Sequence, residues 1–417
     1  MSVELRPLGV ACNIQCQYCY QNPQRDAGNV PRTYDLDAMK AAVVREGGPF
    51  TLFGGEGLLV PEADLEDLWA WGLEQFGSNS LQTNGVLIND AHVRMFRQYN
   101  VQVGISLDGP GELNDARWAG TLERTREATA KTEASIERLC REGMPPSLIV
   151  TLHRGNASAD KLPVMHDWFR RLDAMGVTSV RLHVLEVDSE DVGTVYALTT
   201  EENVLAFSSF ARLEAELTTL RLDLFDDLRN LLLGTDDDTT CVWNACDPYT
   251  TRAVQGVEGT GQASNCGRTN KDGIDFVKAA RPGFERYLAL YMTPQEHGGC
   301  SGCRFFLMCK GQCPGTAIDG DWRNRTEHCD LWKTLFRAQE EQFLDRGEVP
   351  LSASPDRRGI EQAFLALWAQ GESTSIAGVR RWMDERGNAA GQTTGPSGRE
   401  GGEAHGDTHG DTPHGDA

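Results

Sequence analysis

The chain has 417 residues, 40% hydrophobic and 24% charged, enough apolar material for more than one hydrophobic core. A formal net charge of −21 excludes a nucleic-acid backbone as the main partner, because phosphate binding needs clustered Lys and Arg, and it disfavours anionic membranes. The opening MSVELRPLGV lacks the basic-then-apolar pattern of an export signal and no apolar run reaches the length of a membrane span, so a cytoplasmic location is expected.

In chain order, VELRPL (3–8) predicts a strand and 34–47 a helix ending near Gly47. FTLFGG (50–55) predicts a strand running into glycines, followed by a helix over 62–77. SLQTNG (80–85) is a strand and turn, and 89–99 is a helix opened by a capping-type Asn-Asp. VQVGISLDG (101–109), a long helix around 121–142, SLIVTL (147–152), a helix over 160–175 and SVRLHVLEV (179–187) complete six strand–helix units. Such a series specifies an α/β fold with a parallel sheet and right-handed crossovers, here a partial (β/α)6, TIM-like barrel. Function in such folds gathers in the loops that follow the strands.

Residues 1–200 are thus expected to form the catalytic core and 201–238 a helical bridge, with 201–234 wholly helical. The stretch 239–345 is short in periodicity and rich in Gly and Cys, which predicts a small metal-stapled domain. Helices are expected over 346–388, and a disordered tail of Gly, Thr, Ser, Asp and His over 389–417. The tail's His405, His409 and His414 read as part of that disordered repeat rather than as a metal site.

Twelve cysteines in a reducing compartment point to metal or redox chemistry more than to disulfides. Cys12, Cys16 and Cys19 stand in the loop after the first strand, amid Asn13, Gln15 and Gln17. Three converging thiolates suit a cubane iron–sulfur cluster and leave one iron open, whereas a closed zinc site wants four ligands. Cys140, late in a predicted helix, reads as a core thiol. The other eight cysteines run from Cys241 to Cys329: Cys241 and Cys246, then Gly261 five residues before Cys266, then Cys300, Cys303, Cys309 and Cys313 in C-x2-C-x5-C-x3-C spacing, then Cys329. Spacing alone leaves structural zinc open for these.

The CxxxCxxC loop, with Tyr18 before the third Cys, resembles that of the radical S-adenosylmethionine (SAM) enzymes. The resemblance implies that SAM chelates the open iron, is cleaved by one electron, and yields a 5′-deoxyadenosyl radical that abstracts hydrogen. By the same resemblance GGEG (54–57) is the motif that positions the SAM amino group, with Gly54, Gly55 and Glu56 retained and Gly57 in place of Pro. Thr83 and Asn84 would lie against SAM, Ser106 would contact its ribose with Asp108 nearby, Arg117 would reach its carboxylate, and Leu185 would pack near the adenine. The downstream cysteines resemble the SPASM extension of peptide and protein maturases, which holds two auxiliary [4Fe–4S] clusters. That implies one cluster on Cys241, Cys246, Cys266 and Cys313 and another on Cys300, Cys303, Cys309 and Cys329, three clusters in all. If Cys241 were not a ligand, the first auxiliary cluster would keep an open iron.

The expected activity is that of a radical SAM/SPASM maturase acting on a ribosomally made peptide or protein, with crosslinking or a related change as the leading reading. A flavodoxin- or ferredoxin-like one-electron donor and a monomeric state are expected. Formation of formylglycine, as in the anaerobic sulfatase maturases, is the alternative. Those enzymes resemble one another in an Asp directly after an auxiliary-cluster Cys, and here Cys266 is followed by Gly267. A non-enzymatic electron carrier or zinc-stapled scaffold is the rival class, but it gives no reason for an open three-Cys site. Only eleven residues precede Cys12, so no leader-binding domain is expected at that end, and helices in 346–388 are expected to help dock substrate. A general base is not legible: Asp247, Asp319 and Asp321 neighbour the cysteine loops, but acidic residues number 61.

Overall fold

The computed structural model describes residues 3–28, 30–31, 33–247, 250, 254–269, 281, 283–372 and 374–392. Six parallel strands stand side by side in chain order: β1 (Val3–Arg6), β2 (Phe50–Leu52), β3 (Asn79–Thr83), β4 (Val101–Ser106), β5 (Ser147–Leu152) and β6 (Ser179–Val184). Their register places Leu5 opposite Leu52, Leu81 opposite Val103 and Leu152 opposite Val184, so one apolar layer runs across the sheet. The helices between them are closed at their ends as the sequence implies. Asp35 caps Leu36–Glu46 by accepting from Ala38 N at 2.9 Å, and Gly47 ends it in the left-handed region. Leu65, Leu68 and Trp69 of helix Glu62–Phe76 are fully buried. The expected α/β fold, with its parallel sheet and flanking helices, is therefore the fold observed.

Several strands end earlier than expected, at Arg6, Leu52, Ser106 and Val184. Residues after those points leave the ladder and form the loops above the sheet. Two further departures concern the second half of the chain. The segment 201–234 is not wholly helical: between helices Thr200–Glu214 and Asp223–Leu233 a two-residue strand, β7 (Arg221–Leu222), pairs in parallel with β6. Leu220 and Leu222 are fully buried, and joining the sheet edge satisfies the backbone of this otherwise exposed turn.

Nor does the Cys-rich segment stand apart. Its β8 (Gln255–Glu258) pairs in parallel with β1, and β9 (Ala263–Ser264) returns antiparallel to β8. The reason is a buried seam. Arg6, 2% exposed, pairs with Glu258 at 2.7 Å and donates to Asn265 O at 2.7 Å and to the Ser264 hydroxyl. Burial alone would weaken that guanidinium's charge, but Glu258 and Glu4 raise its pKa above the ordinary value.

Helix Cys329–Asp345 packs on Thr200–Glu214 and Asp223–Leu233, with Trp332 5.3 Å from Trp243 and 6.0 Å from Phe207. Helix Arg357–Ala369 covers the helix Glu285–Met292, with Trp368 5.3 Å from Tyr287. The last helix, Ile376–Gln392, is capped by Asp236, whose Oδ1 accepts from Ile376 N at 2.7 Å. The expected disordered tail and its three histidines lie outside the described residues from 393 onward, and the helix itself runs past the expected limit at 388. No helix among the described residues is long and apolar enough to cross a membrane.

Replacing Glu258 by Gln leaves a guanidinium buried without its counter-charge, which costs about 3–5 kcal/mol. A lowered denaturant midpoint with the cysteine loops freed to proteolysis is the expected result; an unchanged midpoint would mean the seam does not hold the two halves together.

Candidate active site

The loops above the strands and the Cys-rich segment enclose one cavity of about 300 Å³. Cys12, Cys16 and Cys19 line it, in a loop pinned on two sides. On one side Gly55 N donates to Gly9 O at 2.9 Å and Glu56 N to Ala11 O at 2.8 Å; on the other, Gln15 N donates to Trp118 O and Gln17 N to Ala116 O. The contact at Gly55 admits no side chain, since a Cβ there would stand 2.0 Å from Ala11 O.

Burial pushes the Cys16 thiol up to about 12, opposed by the Arg117 charge and reinforced by Cys19 and Cys12. Burial likewise raises Cys12. Without a bound cation these thiols stay protonated, so their thiolate form belongs to a metal-bound state. Among the described residues no three His, Cys, Asp or Glu side chains close on a single metal-ion position. In a cubane each thiolate binds its own iron, so convergence on one point is not required. The donor set therefore fits a cluster.

The residues expected around SAM divide into those that face the cavity and those behind its wall. Tyr18, Gly54, Gly55, Thr83, Asn84, Ser106 and Arg117 line it. Glu56 does not. It is 2% exposed, and its carboxylate accepts from Leu58 N at 3.0 Å, Thr83 Oγ1 at 2.7 Å and Asn84 N at 2.8 Å, so it holds the turn at the end of β3. Asp108 is also behind the wall, fully buried, accepting from Thr151 N at 3.0 Å and from the Tyr18 hydroxyl. Burial would raise its pKa, but the His153 imidazole 3.7 Å away and the Arg117 charge hold it below the usual value. Arg117 donates to the Tyr18 hydroxyl at 3.3 Å. Leu185 packs with Tyr18 and Ala116 in a small apolar cluster at the cavity's back.

The downstream cysteines fall into two groups. Cys241 and Cys266 line the central cavity opposite the first loop. Cys241 is exposed at the cavity, where desolvation by the surrounding protein lifts it to about 11 with Cys313 the next contributor; Cys266 is raised by burial, Glu4, Cys241 and Cys313. Cys241, Cys266 and Cys313 thus share one neighbourhood, while Cys246 stands close enough to Tyr287 for its charge to act on that phenol. Cys300, Cys303, Cys309 and Cys329 ring a separate small cavity walled by Phe305, Phe306, Trp332 and Phe336. Cys300 is lifted to about 12 by burial, then by Cys303 and Cys329. Cys140 packs partly buried against the main core.

Sequence reasoning missed a polar group on the far wall. Arg181 and His183 point inward from β6, and Glu186 follows it. Arg268, two residues after Cys266, pairs with Glu186 at 2.7 Å, donates to His183 Nδ1 at 2.6 Å and lies 6.0 Å from the centre of the Tyr20 ring. Burial, then Arg268 and Arg181, keep His183 well below its ordinary pKa and neutral. Asp227, from the helix that follows β7, also lines the cavity and accepts from the Thr240 hydroxyl at 2.7 Å. The alternation of Arg181 and His183 with the apolar Val180, Leu182 and Val184 was the one available signal. Asp247, Asp319 and Asp321 do not line the cavity, and nothing from 346–392 does among the described residues. Asp321 is instead held by Arg323 at 2.7 Å.

Residues 7–161 match the radical SAM superfamily. The chain is similar to a serine-type anaerobic sulfatase-maturating enzyme of Klebsiella aerogenes, 29% identical over 209 residues that span 47% of this chain and 50% of that one. It is 23% identical over 353 residues to a serine-type enzyme of Bacteroides thetaiotaomicron, spanning 75% and 82%. A cysteine-type enzyme of Clostridium perfringens is 30% identical over 161 residues, covering 34% of this chain and 44% of the relative. Among solved structures, anSMEcpe with bound AdoMet superposes with a TM-score of 0.64 at 19% identity, covering 83% of this chain and 98% of that one. Streptococcus suis SuiB bound to S-adenosylmethionine superposes with a TM-score of 0.52 at 12% identity, over 79% and 76%. The resemblance carried by the first cysteine loop is thus met by sequence and fold, and the chain is an enzyme with a radical SAM domain.

Gly55→Ala drives a methyl group into Ala11 O and displaces the first cysteine loop. Reconstituted protein is expected to lose about four irons of about twelve, one cubane's worth. Retention of all iron would show that the loop tolerates the shift.

Proposed function

We propose that this radical SAM enzyme is a maturase that oxidises a Cys or Ser side chain of a peptide or protein client to the aldehyde. The sequence pattern put crosslinking of a small peptide first. The relatives favour the alternative, because those of Klebsiella, Bacteroides and Clostridium are sulfatase-maturating enzymes by name. The observation that carries the reading is the shared chamber: Cys12, Cys16 and Cys19 open onto the same cavity as Cys241 and Cys266. Such a chamber places a site of hydrogen abstraction within reach of a site that can take an electron.

In this reading Cys12, Cys16 and Cys19 hold the first [4Fe–4S] cluster, and the cavity-facing residues from Tyr18 to Arg117 hold SAM. Cys241, Cys246, Cys266 and Cys313 hold one auxiliary cluster, and Cys300, Cys303, Cys309 and Cys329 another. Bound together, the first cluster and SAM supply a carbon radical able to abstract hydrogen from the client. The protein's own side chains do the rest. Tyr18, held by Asp108 and Arg117, fixes the wall behind SAM. Glu56 keeps Thr83 and Asn84 in place through its three accepted hydrogen bonds. Arg117 offers the SAM carboxylate a fixed cation. Arg268, locked to Glu186 and His183, joins the Cys-rich segment to the end of β6 and shields the chamber from water. Electrons enter from a one-electron donor of flavodoxin or ferredoxin type.

Crosslinking remains the second reading on one observation, Gly267 after Cys266 where the sulfatase maturases resemble one another in an Asp. The two readings separate by product. Anaerobically reconstituted enzyme with SAM, a reductant and synthetic peptides carrying one Cys or one Ser is expected to give 5′-deoxyadenosine and a peptide that reacts with a hydrazine probe. A peptide that loses two hydrogens but does not react with the probe would favour crosslinking.

Replacing Cys12, Cys16 and Cys19 together by Ala is expected to lower iron from about twelve to about eight per chain and abolish 5′-deoxyadenosine. Iron falling to zero, or held zinc in place of the remaining iron, would overturn the assignment of the downstream cysteines.

A further inference from the structure

The oxidation proposed above carries a chemical requirement that no residue so far meets. Converting R–CH2–XH to R–CH=X, with X sulfur or oxygen, removes one hydrogen atom, one electron and one proton. The hydrogen atom leaves to the 5′-deoxyadenosyl carbon, the electron to an oxidised [4Fe–4S] cluster, and the X–H bond breaks as the second C–X bond forms. For Cys, water then replaces the sulfur, which leaves as hydrogen sulfide. The proton must be taken up inside the chamber.

Few groups on the cavity wall can accept it. His183 is neutral, but it sits between Arg268 and Arg181, and a second positive charge there is opposed by both. Burial holds His328 at about 4, too weak a base for this step. Glu186 is held by Arg268 at 2.7 Å. Glu4 points from β1 toward Cys266 and Cys241, the thiols assigned to the auxiliary cluster. Asp227 differs from all four. It is 6% exposed and lines the cavity from the helix Asp223–Leu233. Its carboxylate accepts from the hydroxyl and the backbone N–H of one residue, Thr240. One neutral residue on one side leaves carboxylate lone pairs for a further donor.

We propose that Asp227 accepts the proton released as the client side chain is oxidised. The inference rests on the maturase reading, but the same proton is released in a crosslinking reaction, so it does not depend on which product forms. Burial lifts this carboxyl to about 6, so it is ionised at neutral pH and a stronger base than an ordinary carboxylate. The groups that face it are Thr240 on the adjoining loop, Arg181 of β6, which lowers its pKa, and Asp223 on its own helix, which raises it. Because the acceptor must be ionised, product formation should rise as pH passes upward through about 6.

The test uses the full chain, anaerobically loaded, with SAM, a reductant and the Cys and Ser peptides, comparing parent, Asp227→Asn, Asp227→Glu and Glu4→Gln. The Asn variant keeps an oxygen for Thr240. It is expected to load iron and form 5′-deoxyadenosine as the parent does, while oxidised peptide falls about 100-fold. The substrate-derived radical should then accumulate in electron paramagnetic resonance spectra, and the acid limb of the pH profile should vanish. The Glu variant should recover part of the product with a displaced limb. A parental ratio of product to 5′-deoxyadenosine in the Asn variant, or loss of product in Glu4→Gln alone, overturns the proposal and leaves the maturase reading standing. If the Asn variant loads less iron, the Glu variant decides: a displaced limb supports the proposal, and an unchanged limb overturns it. A parent that makes 5′-deoxyadenosine but no oxidised peptide overturns both.

Discussion

The structure turns on Arg6. A guanidinium on the first strand, 2% exposed, binds Glu258, Ser264 and Asn265 of the Cys-rich segment. That seam makes β8 a neighbour of β1, and so brings Cys266, next to Asn265, over the loop that holds Cys12, Cys16 and Cys19. A second contact answers it across the chamber, where Arg268 reaches Glu186 and His183 at the end of β6. β1 and the end of β6 are thus both tied to one short stretch, 258–268. Buried charge pairs are a costly way to stabilise a fold. Here both pairs set the distance between two groups of thiols, where an apolar contact of the same area would fix it less narrowly.

The same logic explains the burial of the thiols. Cys16, Cys241, Cys266, Cys300 and Cys309 all stand in surroundings that disfavour a free thiolate. In a cluster protein that is expected: the metal supplies the positive charge that desolvation withholds, and loading and folding are coupled. The aromatic wall around Cys300, Cys303, Cys309 and Cys329 keeps water from that group more completely than the polar wall around the central cavity. Solvent exposure and hydrogen bonding set cluster potentials. The two downstream groups therefore sit in different electrostatic settings, the central one facing charged side chains and the outer one facing rings.

Much of this was legible in the sequence, and what was not has identifiable causes. The six strand–helix units follow from hydrophobic period and end signals, both local properties. The first cysteine loop was legible because its three thiols lie within eight residues. The set Cys300, Cys303, Cys309 and Cys329 was legible by resemblance, and the structure brings those four together. Strand β8 was not, since QGVE has no strong strand pattern and its place beside β1, where Arg6 pairs with Glu258, depends on contacts about 250 residues apart. Glu56 shows the converse failure. A carboxylate in a glycine turn reads as a ligand group, yet here it is buried outside the cavity lining, accepts from Leu58 N, Thr83 Oγ1 and Asn84 N, and shapes the site from behind.

Asp227 was the hardest to see and illustrates why. Nothing in DLFDDLRNLLL singles out the third of its acidic residues. What distinguishes it is that β7 is only two residues long, so the chain turns into a helix where a full barrel would continue with strand, and that helix closes the chamber. With period 3.6, Leu224 and Asp227 fall on the face turned to the cavity, while Asp226 turns outward to Arg229. An acidic residue becomes chemically distinct here only through the place the fold assigns it. A chain that lacks an acid after Cys266 can still present one to the same chamber from a different element, because the chamber is built from both ends of the sheet.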